Sequence, residues 1–229
     1  MNLLAFENTS ALDAELVNVV VDRLTSSIHR HQYASLVVSG GRTPKSFFHL
    51  LSQQFLDWSK ITVTLADERW VDSDHEDSNE KFVRDNLLIN EAYKARFVAL
   101  KSSALSAELG ESSIAQDLSA IGRFTVVILG MGDDGHTASL FPGSESLSLG
   151  LSMDSGRHCI AVQPLDAPHQ RMSLTLPRLL DSEQIIVHIS GENKEKVLHL
   201  AGAGKDVYEL PIRAVLQQTM TPVSVYWAK

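Results

Sequence analysis

Along the chain, short runs of contiguous apolar residues alternate with longer stretches where apolar positions recur every three or four residues. That alternation predicts parallel βα units. Between 11 and 28 the apolar residues fall at 12, 16, 19, 20, 24 and 28, a helical spacing. A buried strand is expected at 34–38, followed by the turn Ser39-Gly40-Gly41-Arg42. Thr43 can cap a helix with Pro44 at its first position, running to 51. A strand at 61–66 comes next, then a helix capped by Asn79 and reaching 88, with Phe82 and Leu87 facing inward. The second half repeats the grammar. It predicts a helix at 112–121, the strongest strand of the chain at 124–129, and a glycine-rich loop at 130–135 that leads into His136 in the first turn of a helix. Strands at 160–163 and 185–189, a helix at 193–200 and a final strand at 222–227 closing the sheet complete the pattern. Pro222 suits the first position of that strand.

The implied class is α/β, a three-layer αβα arrangement around a mostly parallel, Rossmann-like sheet. No low-complexity linker or short repeat divides the chain, and the Ser- and Gly-rich stretch 143–156 is too short to mark a boundary, so 1–229 is expected to be one domain. Composition is that of an ordinary globular protein, with 44% hydrophobic and 21% charged residues. A net charge of −8 excludes general nucleic-acid binding, although local cations can still hold an anionic small molecule. A single cysteine, Cys159, provides neither a disulfide framework nor a cysteine metal site. The first eight residues lack a secretory pattern and no apolar stretch approaches bilayer length, so a cytoplasmic, membrane-free protein is expected, acting as a monomer or weak homo-oligomer.

Three unusual segments follow predicted strands directly and should meet beyond the carboxyl ends of the sheet, where open α/β folds bind ligands. In the first, 39–44, paired glycines let N–H groups approach an anion, the next helix adds its positive end, and the Ser39 and Thr43 hydroxyls can donate. A plain strand-to-helix turn reads equally well. The second is Asp67-Glu68-Arg69-Trp70, leading through acidic residues to Ser78-Asn79; three charges ending an apolar strand must be solvated, paired or functional. Asp72, Asp74 and Glu76 suggest a calcium loop, but Asp77 stands where glycine is needed and Val83 where glutamate is needed.

The third, Gly130 to Ala138, formally contains G-x-G-x-x-G. It sits mid-chain, with Asp133 and Asp134 where a pyrophosphate would lie, and a nicotinamide cofactor leaves His136 without a role. A histidine at a helix start beside an aspartate suits acid–base chemistry: the dipole favours the neutral ring and Asp134 can orient it. Arg171 and Lys194 are later cations. Lys194, at another strand-to-helix junction, opposes the helix dipole unless an anion sits there. His29 and His31 are expected on a solvated helix end. The chain carries no nucleophile elbow, no complete Walker loop and no local metal-ligand spacing, so neither metal nor cofactor is expected.

Taken in order, SGGRTP (39–44), DERWV with the following DSN (67–71 and 77–79), GMGDDGHTASLFPG (130–143), RMSLTLPRLL (171–180) and SGENK (190–194) resemble the 6-phosphogluconolactonase family over most of the chain. The resemblance implies a fold related to glucosamine-6-phosphate deaminases and ribose-5-phosphate isomerases. It also implies hydrolysis of 6-phospho-D-glucono-1,5-lactone, the second step of the oxidative pentose phosphate pathway. By position, His136 is then the base, supported by Asp134, and Arg69 faces the lactone. Ser39, Gly40, Gly41, Arg171 and Lys194 match phosphate-binding positions; Asp67 and Asn79 line the site, and Arg42 and Thr43 belong to the same substrate-binding loop. Asp72 replaces a proline and Arg42 a serine common in relatives. An amino-sugar phosphate deaminase shares the D-G-H loop but carries Asn-Glu-Pro where this chain has Leu140-Phe141-Pro142. A non-catalytic sugar-phosphate sensor on the same fold is the other alternative.

Overall fold

The computed structural model describes residues 2–229. Its frame is a seven-stranded sheet in which every pairing is parallel. In chain order its strands are β1 (Asn2–Phe6), β2 (Ala34–Val38), β3 (Ile61–Leu65), β5 (Arg96–Val98), β6 (Phe124–Leu129), β9 (Ser182–Ser190) and β10 (Val223–Ala228). Laterally they run β1-β10-β9-β6-β2-β3-β5. β2 and β6 are buried at every position, which requires cover on both faces and explains why they read as unbroken apolar runs. The expected class is therefore the observed one. A second sheet, absent from the expectation, joins β4 (Asp67–Arg69), β8 (Arg171–Leu174) and β7 (Cys159–Val162) in antiparallel pairs.

The helices are α1 (Thr9–His31), α2 (Lys45–Ser52), α3 (Asn79–Asn86), α4 (Ala107–Ser119), α5 (Leu147–Leu151), α6 (Leu176–Leu180), α7 (Glu192–Ala203) and α8 (Ile212–Leu216). α1 buries Leu12, Leu16, Val20 and Leu24, each at 0% exposure. Each such side chain contributes about 1.5–3 kcal/mol by leaving water. Asn8 caps α1, its side chain accepting the Ala11 N–H at 2.9 Å, and Gln32 ends it in the left-handed region. His29 and His31 are exposed in the last turn, as expected.

Several boundaries differ from the pattern. Pro44 is the N-cap of α2 rather than its first residue, and Thr43 makes no cap hydrogen bond among the described residues. Ser78, not Asn79, caps α3 by accepting from Lys81 N–H at 3.1 Å. β10 does not close the sheet, because β1 pairs outside it. The strand expected at 160–163 lies in the small sheet.

The largest correction concerns His136. No helix starts there: Thr137 and Leu140 form an isolated bridge around a tight turn, with Ala138 at a φ of 49°. α5 begins only at Leu147. A helix dipole therefore has no part in tuning this histidine.

Candidate active site

β2 and β6 are neighbours in the sheet although β3 and β5 intervene in sequence, so the strand order reverses between them. Crevices at such reversals are where open α/β sheets bind ligands. A cavity of about 310 Å³ lies there, lined among others by Gly40, Asp67, Arg69, His136, His188 and Lys194. The three loops predicted to converge do so. Ser39, Gly41, Thr43 and Asn79 also line the cavity. Arg42 instead faces a separate groove with Lys45 and His49, and neither Arg171 nor Asp134 is among the residues that line the cavity.

At the loop after β6, His136 Nδ1 and Asp134 Oδ1 are 2.6 Å apart, and the same oxygen accepts the His136 backbone N–H at 3.1 Å. A carboxylate only accepts, so Nδ1 carries a proton, and in the neutral ring the lone pair then lies on Nε2. Burial raises the Asp134 carboxyl, but the hydrogen bond and charge of His136 outweigh it and leave it below the usual range. Phe141 covers the imidazole, with ring centres 4.4 Å apart. Gly132 makes the close pair feasible: a Cβ there would sit 2.1 Å from His136 Nδ1 and 2.4 Å from Asp134 Oδ1. The Gly132 N–H also donates to the His136 carbonyl at 2.8 Å, folding the loop back on itself.

The acidic segment after β3 divides its charges between architecture and cavity. Glu68 is 1% exposed. Its carboxylate accepts backbone N–H groups of Arg69 and Asn79 at 2.7 Å and of Glu80 at 2.6 Å, plus the Ser78 hydroxyl at 3.1 Å. Burial pushes its carboxyl up, against those N–H donors. Asp67 accepts the Ser139 hydroxyl at 2.6 Å, and the Asn79 amide donates to the Asp67 carbonyl at 2.8 Å. Gly40 packs on that amide so closely that a Cβ would fall 1.9 Å from Asn79 Oδ1.

Positive charge gathers on two sides. Arg69 and Arg171 are register partners across β4 and β8. Arg171 is buried, and its Nη1 has no hydrogen-bond partner among the described residues. Burial, then the charge of Arg69, lowers its pKa. Opposite, Lys194 in the first turn of α7 pairs with Asp133 at 2.8 Å. Asp133 is thus the anion that the position of Lys194 called for. The Ser39 hydroxyl donates to the Ile128 carbonyl at 3.1 Å, stitching the first loop to β6. The Gly40 and Gly41 N–H groups make no hydrogen bond among the described residues.

Two residues of the site escaped the sequence reading. Glu68 read as one charge among three, and it is too far in sequence from the start of α3 at Asn79 to give a local capping signal. His188 lies inside the apolar run of β9, with no local pattern to single it out. It is 5% exposed, 3.4 Å from Asp13, and burial lowers its pKa from 6.5 to about 4. Burial likewise raises the Asp13 carboxyl, against a hydrogen bond with Ser46, so desolvation disfavours the charged form of both partners. Cys159 is buried, its thiol pushed up to about 12, which leaves it inert as a nucleophile.

Residues 7–227 match the family model of glucosamine-6-phosphate isomerases/6-phosphogluconolactonase. A 6-phosphogluconolactonase of Rhizobium meliloti is 43% identical over 99% of this chain and 98% of its own length. One from Pseudomonas aeruginosa is 42% identical over 97% and 91% respectively. A crystal structure of a 6-phosphogluconolactonase from Shewanella baltica superposes with a TM-score of 0.98 at 44% identity, covering 100% of this chain and 98% of that one. A monomeric glucosamine-6-phosphate deaminase shares the fold, with a TM-score of 0.83 at 18% identity. The chain belongs to the glucosamine-6-phosphate isomerase/6-phosphogluconolactonase family.

Proposed function

We propose that the protein hydrolyses 6-phospho-D-glucono-1,5-lactone to 6-phospho-D-gluconate, with His136 as the acid–base group. The observation that carries this reading is the 2.6 Å His136–Asp134 pair beside a cavity that also holds Arg69 and Lys194. Close relatives named 6-phosphogluconolactonase over nearly the whole chain support it. So does Phe141, an aromatic ring on His136 where deaminases of the family carry a glutamate.

With Nδ1–H held by Asp134, His136 Nε2 takes a proton from a water that attacks the lactone carbonyl carbon. The carbonyl π pair moves to oxygen, and the Arg69 cation stabilises that oxyanion. The intermediate collapses, the bond from carbonyl carbon to ring oxygen breaks, and the imidazolium returns its proton to that oxygen. The acid formed ionises at neutral pH. Gly40, Gly41 and Lys194 hold the phosphate and Arg171, buried beside Arg69, adds positive charge to its site, with Arg42 and Thr43 extending the loop that carries it, while Asp67 and Asn79 orient the sugar hydroxyls. The first loop acts through its backbone N–H groups, since the Ser39 hydroxyl proton is engaged by Ile128.

No helix among the described residues is long and apolar enough to cross a membrane, and the one cysteine is buried and unpaired. We accordingly assign the reaction to the cytoplasm, carried out by the whole chain as one unit, as a monomer or weak homo-oligomer. Hydrolysis of freshly generated lactone, followed by stopped flow with the spontaneous rate subtracted, tests the reading. A rate no greater than the spontaneous one in the presence of protein would overturn it.

A further inference from the structure

We propose that His75, Asp77 and His169 form a binding site for one divalent transition-metal ion, with Zn²⁺ chemistry, that clasps together two loops beside the catalytic cavity. His75 and Asp77 lie between β4 and α3; His169 lies between β7 and β8. One ligand atom from each, two imidazole nitrogens and a carboxylate oxygen, all fall within 4.8 Å of one another. His169 Nε2 is 3.2 Å from Asp77 Oδ2, and His75 Nδ1 is 3.9 Å from the same oxygen.

Ligands around a tetrahedral Zn²⁺ at about 2.0–2.1 Å stand roughly 3.3 Å apart. One of the separations therefore already fits, and the others close with side-chain movements of about 1 Å. All three residues retain solvent exposure, so that movement is open to them. Two imidazoles with one carboxylate suit zinc and its neighbours, whereas calcium and magnesium demand oxygen sets. Three protein ligands leave a fourth position for water.

His169 adopts a φ of 67°, in the left-handed region uncommon for non-glycine residues. The two imidazole rings meet edge to face, 5.5 Å apart. Asp72, Asp74 and Glu76, on the same loop, add negative charge that attracts a cation. The Asp77 N–H donates to His75 Nδ1 at 3.0 Å, a bond that the metal would replace. Spacing along the chain could not expose the site, because His169 is 92 residues from Asp77.

A metal here would act on the cavity through the backbone. The Asp77 carbonyl accepts from Arg69 Nη1 at 2.5 Å, so fixing Asp77 fixes the arginine that lines the cavity.

The test is calorimetric titration of tag-free protein with Zn²⁺, paired with the visible absorption of bound Co²⁺ and thermal melts with and without zinc. One equivalent should bind, raise the melting temperature and give ligand-field bands. His75→Ala and His169→Asn should each weaken binding by at least about 10-fold. Asn tolerates the left-handed conformation, so the second variant keeps the loop. His136→Ala, which removes the His–carboxylate pair of the catalytic cavity, should leave the titration intact. The proposal is overturned if neither metal binds saturably, if binding survives in the His75→Ala/His169→Asn double variant, or if only His136→Ala abolishes it.

Discussion

The buried carboxylate of Glu68 accepts the backbone N–H of Asn79 at 2.7 Å, joining the end of β4 to the start of α3. Both Glu68 oxygens face backbone N–H donors, so glutamine in its place would set an amide N–H against one of them. Glu68→Gln should cost about 2–3 kcal/mol, the range for buried hydrogen bonds to a charged group. Asn79 would lose its seat, raising KM as well. Urea denaturation reads the first effect, and a variant within about 0.5 kcal/mol of wild type would show that the carboxylate is not holding the helix.

Removing His136 should abolish the chemistry while sparing binding. His136→Ala is expected to lower kcat by at least about 100-fold, the low end for acid–base groups. Asp134→Asn should also lower kcat, since the ring is then no longer held in one tautomer. Unchanged turnover in either variant, with product affinity retained by calorimetry, would remove the pair from the mechanism.

Gly132→Ala offers a cleaner probe of geometry. The added methyl would overlap the His136–Asp134 contact without touching the core. Activity should fall toward that of His136→Ala while the melting temperature shifts little. Full activity would mean the loop relaxes freely and the 2.6 Å contact is not required.

The cations should act on binding. Lys194→Ala is expected to raise KM by roughly 10- to 150-fold, from about 1.5–3 kcal/mol per charged contact, and Arg171→Met to raise it less, since Arg171 does not line the cavity. Arg171→Met should leave stability unchanged or improve it, because it removes a buried, incompletely paired guanidinium. A kcat effect with KM unchanged would place these groups at the reacting carbonyl instead.

His188 gives the fold an acid sensitivity of definite sign. Its pKa is about 4 when folded and 6.5 when unfolded, so its contribution is complete above pH 6.5 and lost as pH falls towards 4. From pH 7 to 4.5 that loss is on the order of 2 kcal/mol for this group alone. The raised carboxyl of Asp13, favoured by protonation, offsets part of it. His188→Gln should flatten stability against pH in that interval; a slope equal to wild type would assign the acid response to other groups.

Much of this arrangement was legible in the sequence, for physical reasons. α1 spans six turns and repeats its apolar period, and β2 and β6 are covered on both faces, so pattern alone found them. β1, β4, β5, β8, α5, α6 and α8 were missed because each is only three to five residues long, too short for a period to develop. The glycines located the loops correctly but misled about His136. A glycine-rich turn that enters a helix and one that returns through a left-handed alanine look alike in sequence. Pairings between distant segments, such as Lys194 with Asp133, carried no local signal.

That last pair has a consequence for what the cavity will admit. Lys194 is paired with a resident carboxylate, so a ligand that uses this cation must outcompete that counter-ion. A single negative charge offers no more than Asp133 already supplies, whereas a phosphate dianion offers more charge and three acceptor oxygens. If Lys194 binds the substrate phosphate as proposed, this exchange favours dianions over monoanions. Asp133, 71% exposed, can swing into water when the exchange occurs.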